Sequence, residues 1–387
     1  MQNFYYSIPT QVAFGKGQIE KLPEFVKKCG KKALLVYGGG SIKRTGLYDE
    51  VTELLKKNGI PFAELSGVEP NPRVTTVNKG VALCREEGID VLLPIGGGST
   101  IDCAKAIAAA YYYEGDAWDV VLDDNLIINA LPIVSVLTLA ATGSEMDVFA
   151  VISNEETKDK VGMGNPLLYP KYSVMDPTYT FSVPPYQTAS GTADIMSHIF
   201  ELYFNGVPGA FMQERIMEAL LKTCIHYGPI ACENPEDYDA RANLMWTSSW
   251  AINGFIGCGK GADWPCHAME HQLSAYYDVT HGHGLAVLTP VWMEYILNDK
   301  TVKMFADYGR NVFGIHEDKG EYNIARDAIA MTKQVFVDMG LTTTLREMGI
   351  TEKDKFEEMA EKAVVECGNY IVPLTKEDII EIYNRAF

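Results

Sequence analysis

The sequence predicts an α/β domain followed by an all-α domain, and three observations carry that expectation. Through the first half, short apolar runs that stop at Gly or Thr alternate with amphipathic stretches. After about Pro184 the short runs cease and only helical periodicity remains. A chain of 387 residues is also longer than one core usually organises, so two domains are the default.

Taken in order, "KALLVYGG", "VLLPIGGG" and "LPIVSVLTL" read as buried strands of a parallel sheet, where both faces are covered and polar alternation is not needed. Between and around them, "IEKLPEFVKKCG", "GLYDEVTELLKKNG" and "VTTVNKGVALCREEG" read as helices, each with a charged last turn and then Gly. Alternation of this kind predicts a doubly wound, Rossmann-like domain over 1–184. "TADIMSHIFELYFN", "GAFMQERIMEALLKTCIHY", "PEDYDARANLMWTSSWAING", "TVKMFADYGRNVF" and "EYNIARDAIAMTKQVFVDMG" all carry helical periodicity and predict an all-helical domain over 185–387. The pair Pro184-Pro185 marks the boundary, because proline disfavours helix in the residue before it.

Bulk properties exclude several classes. A formal net charge of −18 opposes binding to nucleic acid and to anionic membranes. No run approaches the roughly 18 apolar residues of a membrane span, and "MQNFYYSIPTQ" lacks the basic and apolar regions of a signal peptide. The eight cysteines are scattered without C-x-x-C spacing, as expected of reduced thiols in a cytoplasmic protein.

Two glycine-rich turns follow predicted strands. In "PIGGGSTIDCAKAIA", Gly96, Gly97 and Gly98 allow close approach of a ligand, and the helix that follows offers free N–H groups to a phosphate. Asp102 sits in that helix's first turn, where the dipole favours a carboxylate. "VYGGGSIKRTG" repeats the pattern. Its Gly39, Gly40 and Ser41 are followed by Lys43 and Arg44, with no acidic residue of the kind that grips the ribose of NAD. That tilts the expected nucleotide toward NADP(H), with NAD(H) as the alternative.

The segment Pro265–Gly284 holds four of the seven histidines, His267, His271, His281 and His283. Asp194 and His198 are four apart, as are His267 and His271, so each pair shares a helix face. His281 and His283 lie in a glycine-flanked segment before an apolar helix. One such pair alone is usually a solvated surface. Five histidines and a spaced Asp in one domain point instead to a divalent cation site. One Asp and three neutral His leave that cation net positive and able to polarise a substrate oxygen. Nitrogen-rich ligation suits Fe, Zn, Co or Ni over Mg or Ca. Spacing leaves open which histidines ligate.

At these residues the chain resembles the iron-containing (group III) alcohol dehydrogenases, in the branch of butanol dehydrogenases and NADPH-dependent aldehyde reductases. The resemblance runs from "FGKG" through "EPNPRVTTV", "GGGSTIDCAKAIA" and "ATGSEMD". It continues through "DPTYTFSVPPYQTASGTADIMSHIFE" to "HAMEHQLSAYYDVTHGHGLAVLTP". It implies metal ligands at Asp194, His198, His267 and His281, Fe2+ foremost, and a non-ligand histidine, His271, near the nicotinamide that relays a proton. It implies a nucleotide site at Gly39, Gly40, Ser41, Asn71, Gly97, Gly98, Ser99, Asp102, Thr138, Ser144, Lys160 and Tyr179, in a cleft between the domains. A short-chain primary alcohol or aldehyde as substrate and a homodimer are further implications. Asp147 departs from the Asn common in relatives. The rival reading is a sugar-phosphate cyclase or lyase of the dehydroquinate synthase type, which shares this two-domain plan. Such an enzyme needs several basic residues by the cluster, and between Gly257 and Pro290 only Lys260 is basic.

Overall fold

The computed structural model describes residues 1–368 and 371–387. Contacts divide the chain into two units. One comprises Ser7–Val183 and Glu236–Ser249; the other comprises Met1–Tyr6, Pro184–Pro235 and Trp250–Phe387. Two short segments thus fold away from their sequence neighbours: the first six residues join the helical unit, and Glu236–Ser249 joins the α/β unit.

In the α/β unit, strands β1 (Gln11–Phe14), β2 (Ala33–Tyr37), β3 (Phe62–Ser66), β4 (Val91–Gly96) and β5 (Val134–Leu137) are followed by a hairpin, β6 (Phe149–Asn154) and β7 (Asp159–Gly164), and by β8 (Tyr172–Met175). The described residues form a parallel sheet in the order β1-β8-β5-β4-β2-β3. The β6–β7 hairpin is antiparallel and separate from it, an element the strand–helix pattern did not announce. Helices α1 (Leu22–Cys29), α2 (Ser41–Arg44), α3 (Leu47–Lys57), α4 (Val74–Glu87), α5 (Gly98–Ala110) and α6 (Ala117–Leu122) complete the unit.

The period of two along each strand feeds two cores. Leu34, Val36 and Leu92 pack into one with Val77, Val81 and Ile107 of α4 and α5. Ala33, Leu35, Val91 and Leu93 pack into the other with Val26, Val51 and Leu55 of α1 and α3. Helix α5 is buried almost all round, which is why, beyond Ser99 and Thr100 in its first turn, its sequence is small and apolar apart from Asp102 and Lys105.

The helical unit contains α7 (Pro185–Tyr203), α8 (Phe211–Glu233), the end of α9 (Tyr238–Ile252), α10 (Pro265–Tyr277), α11 (His281–Ile296), α12 (Val302–Tyr308), α13 (Glu321–Asp338), α14 (Phe356–Glu366) and α15 (Lys376–Ala386). Helix α7 packs on α8, α10 and α11, and α10 packs on α11 and α14. Among the described residues, no helix is long and apolar enough to cross a membrane. All eight cysteines are free thiols.

Candidate functional site

The glycine turns lie where parallel strands end. Gly39, Gly40 and Ser41 follow β2, Gly97, Gly98 and Ser99 follow β4, and Thr138 follows β5. These strands are neighbours in the sheet, so their carboxyl ends form one rim, the usual ligand edge of such sheets. Asn71, at φ 55°, lies beyond β3 on the same side. Helix α5 has no side-chain cap. A Cβ on Gly98 would fall 2.3 Å from Thr142 Oγ1, so packing demands glycine there in addition to any ligand. Tyr179 follows β8, and its hydroxyl donates to Glu50 of α3 (3.2 Å).

Asp102, Ser144 and Lys160, also expected at the nucleotide, are buried. Asp102 Oδ1 accepts from Ser144 Oγ (2.6 Å) and Oδ2 from the Val151 N–H (3.0 Å). Burial raises its pKa, with Lys105, Ser144, the Val151 N–H and Lys160 opposing. Lys160, on β7, is itself buried. Asp147, whose role the sequence left open, is buried and accepts from Lys105 Nζ (2.7 Å) and from the Phe149 N–H (2.7 Å). Lys105 also donates to the Phe149 carbonyl (2.8 Å), so Asp147 is one half of an internal ion pair.

A carboxylate does stand by the first glycine turn: Glu64 of β3 accepts from Tyr37 Oη (2.6 Å) and Tyr48 Oη (2.7 Å). Lys43 Nζ lies over both tyrosine rings, 5.0 and 4.5 Å from their centroids. Glu64 was invisible from the turn because strand pairing, Leu35 opposite Glu64, brings it there.

In the helical unit, Asp194 and His198 of α7, His267 of α10 and His281 of α11 converge. Asp194 Oδ1 is 3.6 Å from His198 Nε2, 3.7 Å from His267 Nε2 and 3.5 Å from His281 Nε2. These separations are long for hydrogen bonds. They match the edge, about 3.4 Å, of a tetrahedron with metal–ligand bonds near 2.1 Å. Asp194 Oδ1 and His267 Nε2 are buried without a hydrogen-bond partner among the described residues, so the donor set fits a cation. Ligand atoms of Asp194, His267 and His281 lie within 4.8 Å of one another; His198 adjoins them through Asp194 and stacks on His267 at 4.7 Å. His281 opens α11 and does not precede it, so three helices build the cluster.

Burial alone would raise Asp194, but the imidazoles around it prevail and hold it below the usual carboxylate range. Burial pushes His198 down to about 4. It opposes the charge on His267 too, yet Glu201 and Asp194 outweigh it and raise that imidazole to about 10.

Two glutamates missed in the sequence complete the cluster. Glu201 of α7 pairs with His267 Nδ1 and accepts from the Cys266 N–H (2.6 Å) and the His267 N–H (3.2 Å). Glu270 of α10 pairs with His281 Nδ1 and accepts from Ser274 Oγ (2.5 Å). Both glutamates are fully buried. Their signal was the repeated H-x-x-E of His198–Glu201 and His267–Glu270.

The flanking residues have separate tasks. A Cβ on Gly282 would fall 1.9 Å from the Ser190 carbonyl oxygen, and one on Gly284 2.9 Å from Glu270 Cγ. These glycines let α11 lie against α7 and Glu270. His283 points elsewhere: its Nε2 accepts from the Thr342 N–H (3.2 Å), leaving Nδ1 to donate to Tyr186 Oη (2.9 Å). The His271 ring lies 5.6 Å from that of His281, and its Nδ1 is 3.8 Å from Glu366 Oε2. Trp264 stands edge-on to His198 and His267 at 5.9 and 5.5 Å. Lys260 is buried against Glu214, 3.4 Å away.

Comparison with known proteins agrees over the whole chain. Residues 9–177 match the family model for iron-containing alcohol dehydrogenase, and 188–387 match the C-terminal model of the Fe-containing alcohol dehydrogenase family. The chain is 59% identical to NADH-dependent butanol dehydrogenase A of Clostridium acetobutylicum, covering 100% of both. It is 39% identical to the NADPH-dependent aldehyde reductase YqhD of Escherichia coli over 90% of each. The crystal structure of NADH-dependent butanol dehydrogenase A from Thermotoga maritima superposes with a TM-score of 0.95 at 39% identity, covering 100% of this chain and 99% of that one. With both halves matched in sequence and in fold, the chain belongs to the iron-containing alcohol dehydrogenase family.

Proposed function

We propose that this enzyme interconverts short-chain primary alcohols and aldehydes, butanol and butanal among them, with NAD(H) preferred over NADP(H). We further assign one divalent cation, Fe2+ foremost, to Asp194, His198, His267 and His281. The observation that carries the assignment is the set of three Nε2 atoms 3.5–3.7 Å from one buried Asp194 oxygen. When bound, the cation supplies a Lewis acid for the substrate oxygen, and the nucleotide supplies or accepts the hydride.

The chain's own residues do the rest. Asp194 and the three imidazoles hold the cation, and Trp264 covers His198 and His267 with an apolar edge. His271, with Nδ1 toward the partly exposed Glu366, is the proposed carrier of the proton between substrate oxygen and solvent. The rim formed by Gly39–Ser41, Asn71, Gly97–Ser99 and Thr138 takes the nucleotide, with backbone N–H groups toward its pyrophosphate. Asp102, Ser144 and Lys160, which the resemblance puts at the same nucleotide site, are buried close to one another. The preference for NAD(H) rests on the 59% identity to an NADH-dependent butanol dehydrogenase and on Lys43, whose ammonium is taken up by the rings of Tyr37 and Tyr48, the two tyrosines that donate to Glu64. A sugar-phosphate cyclase is disfavoured, since Lys260 is held by Glu214.

Steady-state kinetics with butanal and either reduced nucleotide test this reading, before chelation, after it and after metal add-back. The expected result is NADH oxidation that chelator removes and Fe2+ or Zn2+ restores, with a lower kcat/KM for NADPH. Undiminished turnover in metal-free protein would refute the cation assignment. A higher kcat/KM with NADPH would reverse the nucleotide preference.

A further inference from the structure

The carboxylates beside the histidines follow a staggered rule. Glu201 lies one helical turn after His198 on α7, yet it serves His267 on α10. Glu270 lies one turn after His267 on α10, yet it serves His281 on α11. Each H-x-x-E therefore hands its carboxylate to the histidine of the next helix. His198 stands at the start of this series, and its buried Nδ1 has no hydrogen-bond partner among the described residues.

Both carboxylates are anchored on their other oxygen. Glu201 Oε1 takes two N–H groups from the first turn of α10, at Cys266 and His267. Glu270 Oε1 takes the hydroxyl of Ser274. A carboxylate fixed this way accepts only, so the imidazole nitrogen facing it must carry the proton. For His267 and His281 that nitrogen is Nδ1, and the lone pair then belongs to Nε2, the atom aimed at Asp194. The carboxylate also makes the imidazole a stronger donor.

Building on the cation assignment above, we propose that Glu201 and Glu270 are positioning residues that set the tautomer of His267 and His281 and make them the two strong ligands of the site. They touch neither substrate nor nucleotide in this scheme and act through the imidazoles.

The test uses the full chain, stripped of metal and titrated with Zn2+ against a chromophoric chelator, with 15N-edited spectra of the histidine rings. Glu201→Gln and Glu270→Gln keep the shape and the anchoring acceptor, so they are the variants expected to fold. Each should weaken Zn2+ binding roughly 10- to 100-fold. Read at a pH where the rings are neutral, the partner imidazole should shift from one tautomer, protonated at Nδ1, to a mixture. Glu201→Leu, which also removes the acceptor of the Cys266 and His267 N–H groups, should weaken binding further than Glu201→Gln. Melting in chelator should match the parent for both Gln variants. The proposal is overturned if both Gln variants bind Zn2+ within twofold of the parent, or bind it weakly with tautomers unchanged. His267→Ala separates this from the cation assignment. If it loses Zn2+ while the Gln variants do not, only the positioning role fails; if it too binds as the parent does, the assignment itself fails.

Discussion

The two units bury charge in opposite ways. In the α/β unit, Asp147 is closed by Lys105, and Asp102 is closed by Ser144, the Val151 N–H and nearby lysines. In the helical unit, Asp194, Glu201 and Glu270 face imidazoles, and two atoms pointed at a common centre have no partner. Uncompensated buried charge is strongly unfavourable. The first cluster is complete within the chain and reads as scaffold; the second needs a cation and reads as a site. Polar residues in a recognised segment are thus sorted by whether their charge closes internally.

The largest break in this contrast is His267→Ala. Removing a ligand that Glu201 orients should weaken metal binding by roughly a thousandfold or more, and butanal turnover should vanish with it. Metal analysis after gel filtration, beside kinetics, checks both. Lys105→Met is the matching break in the other unit. It leaves Asp147 buried and unpaired, which should cost about 3–5 kcal/mol in denaturant unfolding, with metal stoichiometry unchanged. A Lys105→Met protein that keeps its stability but loses metal would erase the distinction between scaffold and site.

Why the fold was readable and parts of the site were not follows from which contacts are local. Strands such as Ala33–Tyr37 and Val91–Gly96 are buried on both faces and therefore continuous in apolar residues, a pattern visible without partners. Asp194 with His198 shares one helix face, so its spacing alone suggested a ligand pair. Glu64 and Glu201 act on residues brought to them by β2–β3 pairing and by α7–α10 packing. Nothing within a window of sequence links Glu201 to His267, 66 positions away. The hairpin over 149–164 escaped because its strands pair antiparallel with each other and, among the described residues, join other strand-like backbone through a single bridge, Ser153 to Arg73, outside the alternation that marked the parallel sheet.

Glu145 sharpens the contrast at the level of a single carboxylate. It lies in the α/β unit, 1% exposed, and accepts from Ser249 Oγ, while its Oε2 has no partner. Burial raises it to about 7 from 4.5, with the Ser249 hydroxyl opposing. The folded state therefore retains its proton where the unfolded chain has lost it. Stability from this group is full below about 4.5 and declines as pH rises through about 7. Glu145→Gln should remove that slope and stabilise the protein at pH 8 by on the order of 2–3 kcal/mol. Denaturant midpoints at pH 5 and pH 8 for both proteins decide it; a parallel slope in the variant would assign the pH dependence to other groups.

The smallest effect concerns His198 and divides the helical cluster itself. Its Nε2 reaches Asp194 Oδ1 at 3.6 Å, comparable to the other two, yet it lies outside the trio whose ligand atoms are mutually within 4.8 Å. Among the described residues no carboxylate meets its Nδ1, and its ring stacks against His267 and meets the edge of Trp264. An imidazole held by ring contacts alone is a weaker donor than one backed by a carboxylate. His198→Ala should therefore cost about tenfold in metal affinity, or 1.4 kcal/mol, far less than His267→Ala. Zn2+ competition titrations on the two variants side by side measure the gap. Equal losses would mean that the three imidazoles contribute alike and that the carboxylates behind two of them serve packing rather than ligation.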